Sequence, residues 1–306
     1  MQIYLPIAEL PVNIILLLAL GCIAGILSGI FGIGGGFLLT PFLMFIGVPP
    51  AVAVATSANQ IIAASVSGFL AHWRRMNVDI KMGLLLLLGG FVGSTFGVWI
   101  FALLKFAGQL DLVISLTYVL FLGFVGTLMG IESSRTILKK RKGIAETANR
   151  GKWVRSLSLP LQTYFPRSET TMSALLPILV GIVAGILVSI MGIGGGFVLI
   201  PAMIYLLGMP TNIVIGTSLF QTIFTTANVT LLHAIGTNSV DIVLAVILIF
   251  GAVVGAQIGT RISSRIPAER LRWMLAVLVI SVCLKMGIDL FITPEDPFVI
   301  ELLLGR

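Results

Sequence analysis

Apolar residues run along this chain in long blocks, with polar residues confined to short intervals between them. A helix needs about 20 apolar residues to cross a bilayer. Blocks of about that length cover roughly 51–71, 82–104, 112–131, 212–235, 241–262 and 270–291. Two longer apolar stretches, 12–48 and 174–209, are each interrupted by the pentapeptide GIGGG, at 32–36 and at 192–196. Adjacent glycines cost a helix about 1 kcal/mol each, so each stretch is read as two helical arms around a break. The second arm, 37–47 or 197–208, is short enough to be re-entrant. The pattern predicts an all-α integral membrane protein with about 8–10 membrane helices.

The two broken stretches are copies of one another. GCIAGILSGIFGIGGGFLLTP (21–41) and GIVAGILVSIMGIGGGFVLIP (181–201) agree at about two-thirds of their positions. The correspondence continues from Pro50 to Pro210, from Thr56-Ser57 to Thr217-Ser218, from Gln60 to Gln221 and from His72 to His233. Asn77 and Asp79 pair with Asn238 and Asp241, and Gly93 and Gly97 with Gly255 and Gly259. The chain divides into a first transmembrane repeat (1–131), a basic linker (132–172) and a second transmembrane repeat (173–306). Each repeat is a glycine-broken hairpin followed by three helices, an odd number of crossings. Two such repeats in tandem face opposite ways across the membrane, an arrangement recurrent in secondary transporters.

Composition narrows the class. The chain is 58% hydrophobic and 10% charged, with mean hydropathy +1.11. Soluble domains carry about 25% charged residues. The net charge of +7 is spread over a few loops and forms no single face for nucleic acid. Arg135, Lys139, Lys140, Arg141, Lys142, Arg150, Lys152, Arg155 and Arg167 mark the linker as cytoplasmic. Arg74, Arg75 and Lys81 follow His72, whereas the loop after His233 has no Lys or Arg. Conversely, Arg261, Arg265, Arg270 and Arg272 flank 262–270, whose counterpart near 105–111 has only Lys105. Equivalent loops thus differ in charge, as inverted repeats require, and both termini are expected outside a cytoplasmic (inner) membrane. No Lys or Arg precedes the first apolar run, so a cleaved signal peptide is not expected. Cys22 and Cys283 lie in apolar runs, and the sequence suggests neither a metal site nor a cofactor.

Candidate chemistry centres on the breaks. The first N–H groups of a helix lack intrahelical partners and carry partial positive charge. Glycine lets an anion approach such backbone closely. Gly34, Gly35, Gly36, Gly194, Gly195 and Gly196 are therefore candidate ligands of a small anion. Close helix packing through small residues is the competing reading. Thr56, Ser57 and Gln60, with Thr217, Ser218 and Gln221, lie in the helices that follow and supply neutral donors; Asn59 and Asn228 are secondary candidates. His72 and His233, at equivalent helix ends, are candidates for proton coupling or for helix capping. Carboxylates fall near helix ends, so no embedded carboxylate relay is expected.

The duplicated GIGGGFLLTP and GIGGGFVLIP, the ATS and GTS that follow, and the His and Asn…Asp ends resemble the sulfite exporter TauE/SafE family of membrane transporters. The resemblance covers nearly all of the chain outside the linker. It implies transport of sulfite, organosulfonates or related small sulfur-containing anions, with the lipid bilayer as the other partner. Alternating access is the implied mechanism. A passive anion channel or membrane scaffold is the alternative function. An intramembrane enzyme has less support, because no histidine stands in the motif of a Ser or Thr and there is no HExxH. Oligomeric state is not read from the sequence.

Overall fold

The computed structural model describes residues 2–31, 35–141, 161–168, 170–263 and 268–291. Helices α1 (Ile14–Phe31), α2 (Gly36–Phe45), α3 (Pro50–Arg74), α4 (Ile80–Phe106) and α5 (Leu110–Arg141) form the first half. Helices α6 (Leu175–Met191), α7 (Gly195–Tyr205), α8 (Thr211–Gly236), α9 (Ile242–Ser263) and α10 (Ala268–Phe291) form the second. Among the described residues, five helices are long and apolar enough to cross a membrane: α3, α4, α5, α9 and α10. Many of their large side chains point outward, among them Leu88, Val92, Trp99, Leu120, Phe124 and Phe250. Such a surface is costly in water and at home against lipid. The chain is an all-α integral membrane protein.

Each half is preceded by a small hairpin that the hydrophobic pattern does not reveal. Strands β1 (Gln2–Leu5) and β2 (Leu10–Asn13) pair antiparallel, as do β3 (Gln162–Phe165) and β4 (Thr170–Ser173). The second hairpin lies within the stretch expected to be linker, whose residues 142–160 fall outside the described structure.

Packing is reciprocal between halves. Helix α1 lies along α9, α4 lies along α6, α3 along α8 and α5 along α10. The first two pairs are glycine seams. A Cβ on Gly25 would collide with Ala252, and one on Gly255 with the Cys22 carbonyl. In the equivalent pair a Cβ on Gly93 would collide with the Ile182 carbonyl, and one on Gly185 would lie 2.7 Å from Ser94 N. Backbones approach this closely only where side chains are absent. An apolar core then fills the space between α2, α5, α6, α7 and α10, with Phe37, Tyr118, Phe197 and Val279 wholly inside.

Two buried aspartates fasten the hairpins. Asp79 Oδ1 accepts from Met82 N at 3.1 Å, capping α4. Its Oδ2 accepts from Ser168 N at 3.2 Å and Ser168 Oγ at 2.5 Å in the turn between β3 and β4. Asp241 repeats the arrangement: Oδ1 accepts from Leu244 N at 3.0 Å and Oδ2 from Ile7 N, in the other turn, at 3.0 Å. The two clasps lie at opposite ends of α4. Its start is capped by Asp79, while Lys105 near its end donates to Thr237 O at 2.6 Å and Ser239 Oγ at 2.9 Å, just before Asp241. A helix of 27 residues is about 40 Å long, so the hairpins sit on opposite faces of the molecule.

Candidate functional site

Both glycine motifs do break their helices. Helix α6 ends at Gly192, which adopts φ +64°, and α7 begins after Gly194 at φ +74°. Gly35, at φ +68°, stands before α2. Left-handed backbone of this kind is open to glycine at little cost. Gly34 lies outside the described residues. Gly195, the repeat counterpart of Gly35, has no such φ and already belongs to its helix. No side chain caps α2 or α7.

The fold brings the two breaks together. Phe37 and Phe197, which follow the two motifs, stack with ring centroids 4.5 Å apart and planes 8° from parallel. A Cβ at Gly36 would lie 3.0 Å from the Gly192 carbonyl oxygen and would strike the Ile61 side chain. Ile61 also reaches the other motif, 3.0 Å from where a Cβ on Gly194 would stand. Segments about 160 residues apart in sequence therefore meet inside the protein.

The predicted hydroxyls divide into two groups. Thr56 and Thr217 are buried, and each accepts a backbone N–H from the opposite half. Thr56 Oγ1 binds Asp241 N and Thr217 Oγ1 binds Asp79 N, both at 3.0 Å. They belong to the aspartate clasps. Ser57 stands at the second break: its Oγ is 2.8 Å from Thr40 Oγ1 and donates toward Val54 O at 3.0 Å and Gly192 O at 3.2 Å. Ser218 Oγ donates to Ile215 O in its own helix at 3.0 Å. Asn59 and Asn228 are partly buried; Asn228 Nδ2 donates to Ser94 Oγ at 2.8 Å and so ties α8 to α4.

The glutamines differ from these. Gln60 and Gln221 are wholly buried, and neither amide atom of Gln60 has a partner among the described residues. Gln221 Nε2 donates to Thr225 Oγ1 at 2.8 Å, while its Oε1 has none. A Cβ at Gly195 would lie 2.8 Å from Gln221 Oε1 and 2.8 Å from Thr222 Oγ1. Thr222 is also wholly buried, and its hydroxyl has no hydrogen-bond partner among the described residues. Buried polar atoms are rarely left unmatched, so this corner is suited to a polar guest. Gly196, the next residue of the α7 first turn, is buried as well.

The histidines do not touch the glycine motifs, though His233 reaches the last turn of α6. His233 is buried, its Nε2 3.1 Å from Ser189 O, its Nδ1 3.3 Å from Thr237 Oγ1, and its ring edge-on to Phe101. Facing a carbonyl, Nε2 carries the proton. His72 is half-buried near the end of α3, and its Nδ1 has no partner among the described residues.

Three site residues escape a reading by repeat. Thr40, Tyr118 and Thr222 have apolar equivalents in the other half, so a search for duplicated polar positions passes over them. The Tyr118 hydroxyl donates to Met191 O and meets Thr40. With Ser57 it satisfies the carbonyls at the end of α6. The remaining face of the break is the N–H end of α7, whose helix dipole makes the corner positive.

Comparison with known proteins agrees with this architecture. The family model described as sulfite exporter TauE/SafE matches residues 17–286. The probable membrane transporter protein YunE of Bacillus subtilis is 31% identical over 222 residues, 68% of this chain and 73% of that protein. The probable membrane transporter protein YjnA of the same organism is 28% identical over 238 residues, covering 78% and 85%. Sulfite exporter TauE/SafE family protein 6 of Arabidopsis thaliana is 47% identical over 47 residues, 15% of this chain and 11% of that one. No solved structure matches.

Proposed function

The chain belongs to the sulfite exporter TauE/SafE family, and from that premise we propose that it is a secondary transporter of a small anion. The class is sulfite, an organosulfonate or a related sulfur-containing anion, moved across the cytoplasmic membrane by alternating access. One observation carries the reading: two glycine breaks without a side-chain cap meet inside the protein, and beside one of them the buried Gln221 presents an Oε1 that has no partner among the described residues. The binding set comprises the helix starts at Gly35–Gly36 and Gly195–Gly196, with Gln60, Gln221 and Ser57. Such a site holds an anion without a buried Arg, whose full charge is expensive within a membrane. Release is correspondingly easy. The reciprocal packing of the halves supports rocking of one against the other, which opens the same site to each side in turn.

The test is transport in proteoliposomes. Uptake of [35S]sulfite is expected to saturate and to accelerate when the vesicles are preloaded with unlabelled sulfite. Repeating it with and without a pH gradient identifies coupling. Flux that never saturates and ignores preloading favours a channel, and no flux of sulfite or sulfonates defeats the substrate assignment.

A further inference from the structure

We infer that the anion is gripped at one of the two breaks only, at the start of α7, and that Thr222 and Gln221 are the side chains that select it. This rests on the transporter reading above and makes it asymmetric.

The asymmetry begins one residue after the paired glutamines. Gln60 is followed by Ile61, and Gln221 by Thr222. These equivalents treat their breaks differently. The Ile61 side chain lies where a Cβ of Gly36 would stand, so hydrocarbon covers the start of α2, and it reaches only the edge of the other break, 3.0 Å from the Cβ position of Gly194. Gly195, the first residue of α7 as Gly36 is of α2, instead faces Gln221 Oε1 and Thr222 Oγ1, each 2.8 Å from its Cβ position, with Leu199 Cδ1 at 3.1 Å. Both polar side chains are 0% exposed, and neither oxygen has a hydrogen-bond partner among the described residues. Helix α7 has 11 residues and no side-chain cap, so its first N–H groups remain available to a ligand.

The rest of the break follows the same bias. Thr40 and Tyr118 brace the end of α6, whereas their equivalents in the other half are Ile200 and Val279. The Tyr118 equivalence follows from the mirrored contacts of Gly126 with Ile280 and Gly287 with Val119. One break is thus polar and held, while the other has apolar equivalents at each of these places.

The chemistry selects a group with several acceptor oxygens on one centre. An –SO3 head presents three. Thr222 Oγ donates its hydrogen to one, and the first turn of α7 donates N–H bonds to another. A half-turn of the Gln221 amide lets Thr225 Oγ1 donate to Oε1 and turns Nε2 toward Gly195, supplying the third donor. Inorganic sulfite and sulfonates share this head, and one anion is bound per chain.

Equilibrium binding of [35S]sulfite to the purified full chain in nanodiscs tests the inference, with methanesulfonate as competitor. Thr222→Val keeps the shape and removes the hydroxyl, which has no protein partner to lose. Affinity is expected to fall by at least about tenfold, the scale of a lost hydrogen bond to a charged group, with no fall in melting temperature. Thr222→Ser restores affinity to within about threefold of wild type, since the donor returns. Gly195→Ala places a methyl in the pocket and abolishes binding while suiting the helix. Thr230→Val removes another buried unpartnered hydroxyl two turns along α8 and leaves affinity unchanged. Thr222→Ala replaces the Val variant if that one does not fold. Displacement by methanesulfonate supports an organic sulfonate as substrate, and its failure supports inorganic sulfite. Wild-type affinity in both Thr222→Val and Gly195→Ala, or two anions bound per chain, overturns the inference alone. A wild-type chain that binds neither probe overturns the substrate reading with it.

Discussion

Asp79 and Asp241 each satisfy several donors from inside the protein, and neither lies at the breaks. A carboxylate taken out of water is tolerable when its oxygens are filled by hydrogen bonds. Asp79 receives three. Replacing it by Ala removes the α4 cap and leaves Ser168 N without its acceptor, a loss on the order of 3 kcal/mol when cap and hydrogen-bond terms are combined. Asp79→Asn keeps one acceptor but turns an NH2 toward an N–H, so an intermediate loss is expected. Thermal melting in detergent is expected to rank wild type above Asn above Ala. The sequence shows both aspartates before apolar runs, the position of an N-cap. It does not show their partners, because the turns that supply them lie 89 and 234 residues away. Thr56 and Thr217 look like ligands in sequence for the same reason. His233 is likewise embedded in packing. His233→Gln is expected to lower the melting temperature while sulfite affinity stays within about tenfold; loss of binding in a folded variant gives the histidine a direct role.

At the scale of elements, glycine has two separate uses that one composition conceals. At the breaks it permits positive φ, as at Gly192 and Gly194. In the seams it removes side chains between helices that run against each other. Gly93 and Gly255, recognised in sequence as a matched pair, prove to be seam residues of α4 on α6 and of α9 on α1. Gly93→Val therefore drives a side chain into the Ile182 backbone, where flexible side-chain tips are not available to yield. Folded protein recovered by size-exclusion chromatography is expected to drop severely. Gly236→Ala, with nothing within 4 Å of the added carbon, is expected to change stability by less than about 1 kcal/mol. Equal recovery of the two variants contradicts the seam assignment. The long helices and both breaks were legible because bilayer thickness and glycine cost act locally along the chain. The two hairpins were not: four-residue strands carry too little pattern, and Gln2-x-Tyr4 and Gln162-x-Tyr164 repeat only weakly.

For the whole molecule, the decisive relation is between the hairpins and the membrane. They lie at opposite ends of α4, about 40 Å apart by the rise of its residues. Around the β3–β4 hairpin, Lys81 Nζ donates to Tyr164 O at 3.0 Å and Arg167 Nη1 to Met76 O at 2.7 Å, with Arg74 and Arg75 at the neighbouring helix end. Around the β1–β2 hairpin the basic group seen among the described residues is Lys105, tied to Thr237 and Ser239. Lys and Arg accumulate on the cytoplasmic side of membrane proteins, so β3–β4 is expected inside and β1–β2 outside. Gln2 and Gln162 occupy equivalent, exposed places at the starts of the two hairpins. With Cys22 and Cys283 replaced, Gln2→Cys is expected to react with a membrane-impermeant maleimide in intact cells. Gln162→Cys is expected to react only after the membrane is opened. The two side chains do the same structural work, so any difference in labelling reports sidedness and not local burial. If both react in intact cells, or neither does, the halves are not inverted, and one site cannot face each side in turn by rocking. Reversed labelling keeps the inversion and turns the protein over, in which case the basic face looks outward.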